Sequence, residues 1–380
     1  QNQERRFNIY NDLGSGNNGL IFHYLSISKQ MKICFICIFC GALLFSLHIA
    51  LIIERMDIIL SLGVGAQLME VECVMASNSN DDFEKQNSRI RERMDKIGRK
   101  IMILSGKGGV GKTTVTVNLA NALVDMGCTV GVLDVDIHGP NVAKMFGVEG
   151  AELGSPDGVT MIPIEPRKGL KVMSLSFALD DPSSPIIWRG SMKMSAIRQF
   201  LSDVDWGTLD YLLIDTPPGT GDEQLTVIQA IPELTGAIIV TTPQDVAVLD
   251  SRRSVEFARK CGVAIIGVVE NMSGLKCPHC GEEIPIFGKG GGEKMCSQMH
   301  VPFLGSVPME IDLCKAEDEG KDWIDEPGAH PSATALKEIA NQINNGTACS
   351  TSRDTSYLGT SFCTPSACAS CSSKCSSRKG

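Results

Sequence analysis

A doubly wound α/β fold with a mostly parallel sheet is predicted by three features of the chain. Short apolar segments without polar alternation recur from residue 100 onward, as strands covered on both faces should. Stretches of helical character separate them, and consecutive parallel strands need such crossovers. The first apolar segment runs into a glycine-rich turn, Gly106-Lys107-Gly108-Gly109-Val110-Gly111-Lys112-Thr113, which opens a helix.

The expected strands are 101–104, 129–134, 170–174, 211–215, 236–241, 263–270 and a short one near 303–304. Among the expected helices are 114–126 (stopped by Gly127), 191–201, 245–260 and 334–343. Residues 77–99 are polar and charged and read as a linker turning into a lead-in helix, so the globular domain is expected over 100–345. Residues 1–76 form an N-terminal extension with an apolar run at 33–53, long enough to cross a bilayer. Lys29 and Lys32 precede that run and Arg55 follows it, which would put the globular domain outside the cytoplasm. A gene-model artefact, an anchor and a buried helix are the three readings of the run. No membrane partner is expected, and Met31, Met56, Met69 and Met75 are internal candidates for the start. Residues 346–380 form a Ser-, Thr- and Cys-rich tail without a core-forming pattern, expected to be disordered unless it binds metal.

The charged fraction is 21%, the hydrophobic fraction 43% and the formal net charge -9, an acidic balance that argues against a sequence-independent grip on nucleic acid. The 15 cysteines are clustered rather than spread as a disulfide framework. In an intracellular chain such clusters read as metal or redox ligands.

The Gly106–Thr113 segment matches G-x-x-x-x-G-K-[ST] in the strand-turn-helix setting of a P-loop. Glycines let backbone N–H groups close around phosphate oxygens, and the helix N-terminus adds partial positive charge. Lys112 brings a point charge to the β- and γ-phosphates, and the Thr113 hydroxyl is a Mg²⁺ ligand. Lys107 is a second lysine that an ordinary P-loop does not need. It can reach phosphates across a subunit interface, or it is a solvated loop residue. The later run Gly288-Lys289-Gly290-Gly291-Gly292 has no G-K-[ST] and reads as a flexible turn.

Asp134 and Asp136 sit at and just beyond a strand end, where one carboxylate can orient water and the other can hold Mg²⁺ or its waters. His138 reads as shaping that turn. Asp215 ends the apolar segment Leu212-Leu213-Ile214, a Walker B pattern near Mg²⁺, and Pro217-Pro218-Gly219 after it reads as a switch loop. Cys277-Pro278-His279-Cys280 is half a zinc site, a redox pair or half an iron–sulfur site. Its ligand set would be completed by a symmetric dimer. His279 reads as a spacer. Cys363, Cys368, Cys371 and Cys375 in the tail could hold a cluster or zinc, although their spacing matches no ferredoxin pattern.

Taken together, these segments resemble the Mrp/ApbC family of iron–sulfur cluster carriers, P-loop ATPases of the deviant Walker A (SIMIBI) type. The resemblance covers about residues 91–343. It rests on SGKGGVGKTT (105–114), LDVDIHGPN (133–141), IIWRGSMKM (186–194), DYLLIDTPPGTGDE (210–223), VTTPQDVAVLD (240–250) and ENMSGLKCPHCGEEIPIFGKGGG (270–292). It implies a cytoplasmic homodimer with a [4Fe-4S] cluster bridged by Cys277 and Cys280 of both subunits, slow hydrolysis of ATP with Mg²⁺, and cluster transfer to apoproteins. It implies that Lys107 acts across the interface, that Asp136 orients water, that Thr114 joins the nucleotide-binding set and that Asn271 contacts adenine. A positioning ATPase of the cell-division class gives no reason for C-P-H-C. A nitrogenase-reductase type uses cysteines far apart along the chain. A structural zinc site is separated from the carrier reading by metal content. Lys112→Ala is expected from the sequence to abolish nucleotide use with the fold intact.

Overall fold

The computed structural model describes residues 82–346 except 138, 179–189, 278, 327 and 329. The apolar run at 33–53, the tail cysteines Cys363, Cys368, Cys371 and Cys375, His138, Pro278 and residues 186–189 lie outside the described residues.

Helix α1 (82–94) leads into β1 (Ile97–Ser105), the P-loop and α2 (Lys112–Asp125). Then come β2 (Val130–Asp134), α3 (Val142–Met145), β3 (Ile164–Arg167), β4 (Leu170–Ser174), α4 (Gly190–Asp203), β5 (Leu209–Asp215) and α5 (Asp222–Ala230). The chain continues with β6 (Gly236–Thr241), α6 (Asp245–Lys260), β7 (Ile265–Lys276), β8 (Glu283–Ile284), α7 (Gly291–Met299), β9 (Phe303–Met309), α8 (Ile311–Asp318) and α9 (Pro331–Asn344). The sheet order is β3-β4-β2-β5-β1-β6-β7-β8, and β9 also pairs with β7. The pairings are parallel except β3 with β4 and β7 with β8, so the sheet is mostly parallel, as predicted.

Period-two alternation in β1 divides the core. Ile101 and Ile103 face a cluster with Val115, Leu119 and Leu123 of α2 and Leu336, Ile339 and Ile343 of α9. Met102 and Leu104 face another with Ile197 and Leu201 of α4, Val255 of α6 and Met295 of α7. Burying each Leu or Ile in this way stabilises the fold by about 1.5–3 kcal/mol. Helix α1 belongs to the second cluster through Ile90 and Met94, both buried. Arg93 pairs with Asp205 at 2.5 Å, and Arg198 of α4 donates to Gln86 and Asn87 while lying over the Phe83 ring. The packed unit therefore includes the lead-in helix ahead of residue 100. Strand β7 is longer than its sequence pattern suggests, because beyond Glu270 it continues beside β9, with Asn271 opposite Val307 and Leu275 opposite Met309, and forms one arm of a hairpin with β8.

Candidate functional site

Parallel strands β1, β2 and β5 all end at one edge of the sheet, in register, with Ile103 opposite Asp215 and Asp134 opposite Asp215. This edge gathers the P-loop and the two strand-end carboxylates. Gly109 and Gly111 hold φ of 78°, a left-handed backbone that favours glycine. A Cβ on Gly111 would also strike the Asn271 amide, and one on Gly106 would strike the α6 backbone at Asp250.

Lys112 is 6% exposed, and its Nζ lies 2.7 Å from Asp215 Oδ1 as an ion pair without an aligned hydrogen bond. Thr113 Oγ1 donates to Asp215 Oδ2 at 2.8 Å, and Thr116 Oγ1 donates to Oδ1 at 2.9 Å. The buried ammonium therefore retains donor capacity at the mouth of the loop, which suits a phosphate. Thr113 and Asp215 form the oxygen pair that suits Mg²⁺. Lys107 is exposed at the loop tip, free of the core.

Asp134 and Asp136 differ in burial and in partners. Asp134 is fully buried and accepts from the backbone N–H of Asp136 at 3.0 Å, from Val142 N–H at 3.4 Å and from Ser174 Oγ at 3.1 Å. Burial, then the neighbouring Asp215, pushes its carboxyl up to about 8. Asp134 thus organises the turn instead of offering a free metal ligand. Asp136, beyond the strand, is partly exposed.

The switch loop is tied back to the P-loop by Gly219 N–H donating to Ser105 O at 2.8 Å. Buried Gln224 fixes it from beneath, donating to Pro217 O at 2.6 Å and accepting from Gly221 N–H at 2.8 Å. Asn271 is buried and donates to the Val110 carbonyl of the P-loop at 2.9 Å, so its amide nitrogen supports the phosphate loop.

Thr114 turns its hydroxyl to Glu317 of α8 at 3.1 Å, and Asn118 Nδ2 donates to the same carboxyl at 2.9 Å. Glu317 was not legible as a site neighbour, since nothing in its local sequence marks it. Burial pushes its carboxyl up to about 7 against these two hydrogen bonds. The folded chain therefore holds this proton more tightly than the unfolded chain. The stability it contributes is complete below about pH 4.5 and is lost as pH rises through about 7. Glu317→Gln, which cannot ionise, is expected to remove on the order of 1–3 kcal/mol of that pH dependence. Urea midpoints at about pH 5 and about pH 8 check this, and parallel pH profiles for variant and wild type would refute it.

Cys277 and Cys280 stand at the turn of the β7–β8 hairpin. Leu275 pairs with Ile284 and Lys276 with Glu283, Cys277 N–H donates to Glu282 O at 2.8 Å, and Gly281 N–H donates to Cys277 O at 2.9 Å. Cys280 is exposed and Cys277 partly so. Hydrogen bonds from the backbone N–H groups of Cys280 and His279 and from the Cys280 side chain lower the Cys277 thiol, favouring the thiolate that binds metal. Among the described residues no group of three or more His, Cys, Asp or Glu gathers for a metal ion. The glycine run at 288–292 corrects the reading as a flexible turn. It opens α7, and its N–H groups at Gly290 and Gly292 point to the Glu270 carboxylate at 3.0 and 2.7 Å.

Residues 96–344 match the family described as ParA: NUBPL iron-transfer P-loop NTPase. The chain belongs to this iron-transfer P-loop NTPase family. Similar proteins are named for iron–sulfur cluster work. An iron-sulfur cluster carrier protein of Methanocaldococcus jannaschii is 57% identical over 237 residues, covering 62% of this chain and 81% of that protein. The human cytosolic Fe-S cluster assembly factor NUBP2 is 46% identical over 250 residues, covering 65% and 92%. A nucleotide-binding protein of Archaeoglobus fulgidus, solved in complex with ADP, is 39% identical, covers 63% of this chain and 94% of that one, and superposes with a TM-score of 0.56. As a member of this family the chain has the doubly wound P-loop fold that its sequence predicts. No helix among the described residues is long and apolar enough to cross a membrane.

Proposed function

We propose that this iron-transfer NTPase binds ATP with Mg²⁺ and hydrolyses it slowly. We further propose that two copies assemble a [4Fe-4S] cluster between Cys277 and Cys280 of each and deliver it to apoproteins in the cytoplasm. The observation that carries the reading is a pair of accessible thiols fixed at a hairpin turn, one with its thiolate favoured, in the same domain as a complete P-loop. Two ligands suit half of a four-thiolate site, and a twofold axis doubles them.

In this reading the N–H groups of Gly106 to Thr114 receive the phosphates, and Lys112 moves its charge from Asp215 to the β- and γ-oxygens. Bound Mg²⁺ would neutralise phosphate charge, with Thr113 Oγ1 and Asp215 as the residues to hold it. Asp136 orients the attacking water, and Lys107 of a second copy reaches the phosphates. Asn271 keeps the loop in place through Val110 and faces the base with the rest of its amide.

The deciding experiment is anaerobic iron and sulfide analysis with a visible spectrum, on the full chain with the four tail cysteines replaced by Ser. About four irons and four sulfides per dimer are expected. Zinc without sulfide would refute the carrier reading and make the pair a structural clamp.

A further inference from the structure

Strand β7 brings two buried polar residues together in sequence and sends them to opposite faces. Asn271 reaches the P-loop, donating to Val110 O at 2.9 Å. Its neighbour Glu270 is fully buried on the other face. There its carboxylate accepts from Ser273 Oγ at 2.7 Å, Gly290 N–H at 3.0 Å, Gly292 N–H at 2.7 Å and, more weakly, Ser306 Oγ of β9 at 3.5 Å. Ser273 and the two glycines lie on either side of the excursion that carries Cys277 and Cys280. Ser273 stands just before the hairpin, and the two glycines stand after it at the start of α7. Glu270 thus closes the base of the cysteine-bearing segment. It also occupies the anion-accepting helix terminus that a phosphate would otherwise suit.

The glycines are required for this closure. A Cβ on Gly291 would collide with the Pro243 carbonyl, and one on Gly292 would press at 3.1 Å on Glu270 Oε2. Between the clamp and the cysteines the backbone turns through Met272 at φ 57° and Gly274 at φ 79°. The strand therefore enters the hairpin through two left-handed residues, where its register with β9 shifts between Asn271 and Leu275. One peptide bond separates the residue holding the phosphate loop from the residue holding the cysteine segment.

We propose that Glu270 is a positioning residue that couples nucleotide occupancy of the P-loop to the disposition of the Cys277/Cys280 hairpin. A shift of the loop backbone at Val110 pulls on Asn271 and so displaces the strand that Glu270 locks to both ends of the excursion. Without the carboxylate the same shift is absorbed at the loosened base and does not reach the thiols. The proposal rests on the reading above in which the P-loop takes ATP and the two cysteines take the cluster.

The test uses the full chain free of metal and needs no loaded cluster. Alkylation of Cys280 by iodoacetamide is timed by peptide mass spectrometry, without nucleotide and with saturating non-hydrolysable ATP analogue. In the wild type the two rates are expected to differ about fivefold, the scale of ordinary site-to-site coupling. Glu270→Gln keeps the shape but turns an amide N–H₂ towards N–H donors. It is expected to bind the analogue within about twofold of wild type, with the rate ratio falling to about one. Ser273→Ala removes one of the four donors, the one ahead of the hairpin, and is expected to lower the ratio part-way, which carries the test if Glu270→Gln does not fold. A wild-type ratio in folded Glu270→Gln, or in Ser273→Ala where the first variant is lost, overturns the proposal. Equal rates in a wild type that binds the analogue overturn the coupling alone. A wild type that binds no analogue overturns the nucleotide reading, and the coupling with it.

Discussion

Replacing Lys112 by Ala is expected to abolish ATP turnover and also to weaken the fold. The second effect revises what the sequence alone suggests. In the folded chain Lys112 Nζ lies 2.7 Å from Asp215 Oδ1, and Asp215 is fully buried beside the fully buried Asp134. Removing the ammonium strands a buried carboxylate, a loss of about 3–5 kcal/mol. Turnover should fall by at least about 10²-fold, because the same charge is needed on the phosphates as they accumulate negative charge. Lys112→Arg separates the two effects. It keeps a cation against Asp215 and should keep most of the stability, yet its planar fork cannot substitute for a point charge in the loop. Phosphate release and urea denaturation on both variants check this. Wild-type turnover in Lys112→Ala would remove the P-loop from the mechanism.

The other large effect is expected at the hairpin. Cys280→Ala removes two of four thiolates from a site shared by two copies, since each copy loses one. The cluster should be lost, with iron falling below about one per dimer, while ATP affinity stays within about twofold. The fold should hold, because Cys280 is exposed and its neighbours Cys277 and Gly281 are fixed by backbone hydrogen bonds. Cys277→Ala should behave alike in its metal content. Iron and sulfide analysis, visible absorbance and nucleotide titration report the three quantities separately. An undiminished cluster in either variant, in a chain whose tail cysteines are Ser, would mean that other residues hold it.

Much of the sheet was legible because strands buried on both faces carry unbroken apolar runs. The strand at 170–174, that at 236–241 and the helix at 245–260 fall where the pattern puts them. The P-loop was legible because its glycines answer a backbone requirement that few other residues meet, seen at Gly109 and Gly111. Less legible were the elements whose reason is tertiary. Strand β8 has two residues and no pattern of its own, and exists because the end of β7 offers it a partner. Glu317 and Gln224 become part of the site only when distant segments fold beside them. Glu270 looked like the last residue of a strand. Its meaning depends on Gly290 and Gly292, some twenty residues on, whose glycines read as a turn until their N–H groups were seen to converge on its carboxylate.

The lead-in helix has a practical consequence for anyone who cuts the gene. The family match begins at residue 96, whereas α1 spans 82–94 and contributes Ile90 and Met94 to the core. A fragment trimmed to the match would unroof the apolar surface that those side chains cover, and uncovered surface of this kind drives association between molecules. It would also release Arg198 from Gln86 and Asn87. The boundary set by kinship and the boundary set by solubility differ by one helix, and an expression fragment should respect the second.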